Sequence, residues 1–135
     1  MNPILRNILA VIAGFVIGSI VNMGLIKLGS QFILPPPGVD PMDPESLKAG
    51  LHLFEPKHFI SPFLGHALGT FAAALTVAKL AVSNQMKFAL GFGVFFMIGG
   101  IIMVRMINGP MWFNILDLVV AYLPMAWLGG KLGKA

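Results

Sequence analysis

Along the chain, long apolar stretches alternate with short polar punctuation. Apolar positions run almost unbroken over about 4–28, 62–82, 87–107 and 110–128. Each is close to the roughly 20 residues that an α-helix needs to cross about 30 Å of hydrocarbon. No stretch shows the two-residue alternation of a barrel strand, and backbone groups in lipid must satisfy one another within the segment, so helices are expected. Ser61 and Pro62 supply an N-cap and a first-turn proline for the second segment, and Asn108-Gly109-Pro110 makes a tight turn before the fourth. The predicted fold is an all-α integral membrane protein. Its single domain, 1–135, holds four transmembrane helices in an antiparallel up-down bundle. Pro124 is expected to bend the last of them, because it removes one backbone hydrogen bond.

The connection over about 29–61 differs in character. It opens with "LPPPGVDPMDPE", too rich in proline for a helix, and continues with "DPESLKAGLHLF". There Asp43 reads as an N-cap, Pro44 as a first-turn residue and Glu45 as a carboxylate near the positive helix end. Leu47, Leu51 and Phe54 recur at helical spacing, while Glu45, Lys48, His52 and Glu55 take other faces. A short amphipathic helix in the loop between the first two spans is predicted, lying on the membrane or over the mouth of the bundle. Within the spans, Gly14 and Gly18, then Gly65, Gly69 and Ala73, form small-residue stripes, and Gly91, Gly93, Gly99 and Gly100 thin the third helix. Such stripes let helix backbones approach, within one chain or between copies.

Composition narrows the function classes. Hydrophobic residues make up 57% and charged residues 10% of the chain, too few charges to clothe a soluble domain of this size. The sequence has no cysteine, which excludes disulfides, thiolate metal sites and thiol redox chemistry. The net charge of +4 comes from scattered single cations and does not point to nucleic acid. The apolar run after Arg6 continues to Ile26 without a small-residue cleavage signal, so it reads as a retained span. Arg6, Lys79, Lys87, Lys131 and Lys134 fall on one side; Lys27, Lys48, Lys57 and Arg105 fall on the other. This distribution places both termini in the cytoplasm, in the plasma (inner) membrane.

Polar residues inside the spans carry the functional signal. Asp117 sits roughly 10 Å below the outer end of the fourth span, with Asn114 on the same face. Asn22, His66 and Arg105 occupy the same outer slab on the other three spans. A mid-helix carboxylate costs on the order of 3 kcal/mol, so it should face the bundle and be partnered. Arg105 is the first candidate partner, able to grip the carboxylate bidentately across the short turn. His66 is the second, and a His66–Asp117 contact would open a route for proton transfer. Either pair can equally serve to fix helix register. Asn22 and Asn114 also fit interhelical hydrogen bonding. Trp112 and Trp127 read as interface anchors.

No motif for a catalytic set, a phosphate loop, a metal centre or a cofactor is present, so none is expected. The reading placed first is an accessory or structural bundle with a polar pocket in its outer half. Its partners would be the lipid bilayer and a second copy or another membrane protein. A small-ligand binder or oligomeric transporter using Asp117, Arg105 and His66 is the alternative. An intramembrane enzyme with His66 as base and Asp117 as its orienting group comes third.

Overall fold

The computed structural model describes residues 1–134, most of which are helical, without a strand among them. The helices are α1 (Pro3–Phe32), α2 (Pro44–Gly50), α3 (Ile60–Leu80), α4 (Gln85–Ile107), α5 (Met111–Val120) and α6 (Leu123–Lys134). Two short 3₁₀ turns, Leu51–Leu53 and Pro56–Phe59, link α2 to α3. Four stretches are long and apolar enough to cross a membrane: Pro3–Phe32, Pro56–Leu80, Gln85–Ile107 and Met111–Lys134. Their outer faces carry bare apolar side chains such as Ile12 and Ile20 on α1, Phe95 and Ile98 on α4, and Ile115 and Val119 on α5. These features are compatible with a membrane protein.

Local chemistry explains the helix ends. The Asn2 side chain accepts the Ile4 N–H at 2.8 Å, ahead of Pro3 at the first helical position. Asp43 does the same for the Glu45 N–H at 3.2 Å, ahead of Pro44. α4 begins and ends on asparagines in the left-handed region, Asn84 at φ 52° and Asn108 at φ 57°. Asparagine enters that region more readily than most residues, so each turn is made without glycine. Two helices outrun their expected ends: the first continues past Leu28 to Phe32, and the last passes Leu128 to reach Lys134.

α3 is the hub. Its buried positions are Gly65, Ala67, Gly69, Thr70, Ala73, Ala74, Val77 and Ala78, none larger than valine. α1 crosses it with Arg6 Nε donating to the Leu80 carbonyl at 3.0 Å near one end and Gly29 against Ser61 at the other. Between these points a Cβ on Gly18 would lie 2.7 Å from that of Ala73. On another side of α3, a Cβ on Gly129 would lie 2.6 Å from the Phe71 carbonyl oxygen, and one on Gly133 would lie 2.7 Å from that of Leu75. Only hydrogen fits at such positions, and the close backbone approach supplies the packing that lipid does not.

The fourth apolar stretch, Met111–Lys134, is interrupted at Ala121–Tyr122, where its proline predicts a bend. Pro124 has no N–H to offer the Val120 carbonyl, and its ring crowds that turn. The α-helix stops at Val120 and restarts at Leu123. Regular bonding resumes with the Ala126 N–H donating to the Tyr122 carbonyl at 2.8 Å. Ala121 and Tyr122, at the break, are both buried.

Candidate functional site

Above the glycine-packed region the helices enclose a cavity of about 380 Å³. α1, α3, α4 and α5 form its walls, and the loop segment covers it through Leu47, Leu51 and Phe54. The cover is pinned by aromatic contacts. Phe59 lies 4.5 Å from Phe113, 5.2 Å from Phe54 and 5.4 Å from Trp112, ring centre to ring centre. It is also braced by its own polar groups, with the Glu55 N–H donating to His58 Nδ1 at 2.8 Å and the Asp40 N–H to Ser46 Oγ at 2.9 Å.

One wall carries a connected polar cluster. His66 Nδ1 lies 2.9 and 3.0 Å from the two Asp117 carboxyl oxygens. The Tyr122 hydroxyl donates to Asp117 Oδ2 at 3.2 Å. The His66 and Tyr122 rings are near parallel, 24° apart, with centres 5.9 Å apart. Asp117 is only 4% exposed, whereas the His66 side chain is 28% exposed and lines the cavity. An ionised carboxylate can only accept, so with Asp117 ionised the contact places a proton on His66 Nδ1. Among the described residues nothing hydrogen-bonds to Nε2.

The five residues singled out in the sequence are distributed unevenly. Asn22, His66, Asn114 and Asp117 all line the cavity; Arg105 does not. Arg105 is exposed and makes no ion pair among the described residues, so the partner ranked second takes Asp117 and the one ranked first does not. The cause is azimuth. The cavity face of α4 runs through Phe96, Gly100, Val104 and Ile107, and at 3.6 residues per turn Arg105 points roughly opposite its centre. Asn114 turns back on its own helix, its Nδ2 donating to the Gly109 carbonyl at 3.0 Å. Asn22 Oδ1 is buried without a hydrogen-bond partner among the described residues, and a Cβ on Gly65 would lie 2.8 Å from it. The oxygen is thus wedged against the glycine Cα, a place for a weak C–H···O contact.

Tyr122 is the member that sequence reasoning missed. Five residues beyond Asp117, it would point about 140° away on a regular helix. The break at Ala121–Tyr122 turns it back. Gly100 completes the arrangement, since a Cβ there would come within 2.7 Å of the tyrosine hydroxyl. The sequence signals were Pro124 two residues later and a glycine on the facing helix.

Among the described residues no three His, Asp or Glu side chains converge as metal ligands. Comparison with known protein families, curated proteins and solved structures finds no match.

Proposed function

We propose that the chain is an integral membrane protein whose four spans alternate in direction as an antiparallel up-down bundle, and that the covered cavity binds a small amphipathic ligand. The observation that carries this reading is the buried Asp117, held by His66 and Tyr122 on the wall of an otherwise largely apolar hollow. Apolar cavities of this size with a few convergent polar groups are the common form of small-molecule sites. A hollow of about 380 Å³ beside these groups favours an occupant over a register-fixing role alone. No observation favours transport over binding.

We place the cytoplasmic side at the end opposite the cavity, where the basic residues Arg6, Lys79, Lys87, Lys131 and Lys134 outnumber Lys27, Lys48, Lys57 and Arg105 at the cavity end by five to four. Both termini are then cytoplasmic and the ligand enters from the outer side.

Native mass spectrometry of the protein released from membrane tests the binding reading. A small-molecule adduct is expected on the wild type and not on Gly99→Trp. Gly99 lines the cavity and has open space beyond its Cβ position, so tryptophan narrows the cavity wall without displacing backbone. Adduct-free wild type, or an adduct undiminished in the variant, would overturn it.

The short His66–Asp117 contact also favours a second reading, in which the carboxylate orients the imidazole as a general base. Site-resolved acylation of His66 by diethylpyrocarbonate should then slow in Asp117→Asn. Equal rates in the two proteins would remove the base role.

A further inference from the structure

The displacement of Arg105 from the cavity changes the charge that a ligand would meet. With arginine on the wall, the site would be a balanced ion pair. Without it, Asp117 is the one acidic side chain lining the cavity, and no lysine or arginine lines it among the described residues. Its two hydrogen-bond partners are the His66 ring and the Tyr122 hydroxyl. His66 lines the cavity, and its Nε2 has no hydrogen-bond partner among the described residues.

The aromatic lining has the same sign. Phe54, Phe59, Phe96, Phe113 and Tyr122 line the cavity, and aromatic faces attract cations.

Resting on the binding reading above, we infer that the occupant is an organic cation: a protonated amine on a compact apolar body, its charge held beside His66 in the field of Asp117 while its body fills the phenylalanine-lined space. A fatty acid or a phosphate-bearing headgroup would meet the Asp117 carboxylate and no lysine or arginine on the wall.

The test holds shape constant and varies charge. Wild-type protein in lipid nanodiscs is titrated calorimetrically with 1-adamantylammonium, 1-adamantanol and 1-adamantanecarboxylate, with protein-free nanodiscs as the blank. The ammonium compound should bind at least about tenfold more tightly than the alcohol, with no measurable binding of the carboxylate. Asp117→Asn should erase most of the difference between ammonium and alcohol; should that variant fail to fold, the wild-type series decides alone. Alcohol binding within twofold of the ammonium, or preference for the carboxylate, overturns the cation assignment and leaves the pocket reading standing. Absence of binding by all three also overturns it, and the native-mass comparison then decides the pocket separately.

Discussion

Glycine does opposite things at the two ends of this molecule. At the lysine-rich end, Gly133 faces Ala78 and the Leu75 carbonyl, and Gly129 faces Ala74 and the Phe71 carbonyl, so the backbones of α6 and α3 close on each other. The core beside them is mostly alanine: Ala73, Ala74, Ala89 and Ala126, with Val77 and Phe92. At the other end Gly65 and Gly100 are also closely seated, against Asn22 and the Tyr122 hydroxyl, but Gly99 has open space beyond its Cβ position on the cavity wall. Loss of a side chain tightens a membrane bundle only where the facing surface is small enough to follow. Elsewhere it creates room. The first end is built for stability and the second for occupancy, with the same residue type.

The largest effect should come from breaking the tight end. Gly133→Leu must displace a backbone carbonyl, and we expect a loss of at least about 3 kcal/mol, read as collapse of the monodisperse peak or a large fall in Tm in detergent. Gly91→Leu is the control on the same chemistry: nothing lies within 4 Å of its Cβ position, and the Tm should hold. Equal damage from both would deny the division between the two ends.

At the cavity end the expected costs are smaller. His66→Ala strips Asp117 of its nearer partner and should lower stability by about 2 kcal/mol, and Tyr122→Phe, which removes the longer hydrogen bond, by about 1 kcal/mol. Chemical unfolding in mixed micelles would rank them, and the reverse order would place the main support of Asp117 on the tyrosine. Smallest of all should be Arg105→Gln, within about 0.5 kcal/mol, because its side chain is exposed and unpaired among the described residues. A loss like that of His66→Ala would restore Arg105 as a partner.

The apolar segments were legible because hydrophobic length is a strong signal, and Asp117 stood out because a carboxylate in lipid needs a reason. Which partner it takes was not legible. Depth along each span can be read by counting residues, and it brings Arg105, His66 and Asn22 level with Asp117. Azimuth depends on how each helix is rotated by its neighbours, and here that rotation is set by glycine contacts such as Gly18–Ala73. The fourth apolar segment was read only to about 128, yet Gly129, Gly130 and Gly133 are packing positions that carry α6 to Lys134. Pro124 signalled a bend. That a full break would swing Tyr122 onto Asp117 needed the fold.

The gap at Ala121–Tyr122 has a mechanical meaning. A continuous rod would act as a lever, so that any tilt at the mouth would pry Gly129 and Gly133 from their seats. The seam instead sets a ten-residue piece bearing Asn114 and Asp117 apart from the seated lower piece, and the Tyr122 hydroxyl clasps Asp117 across it.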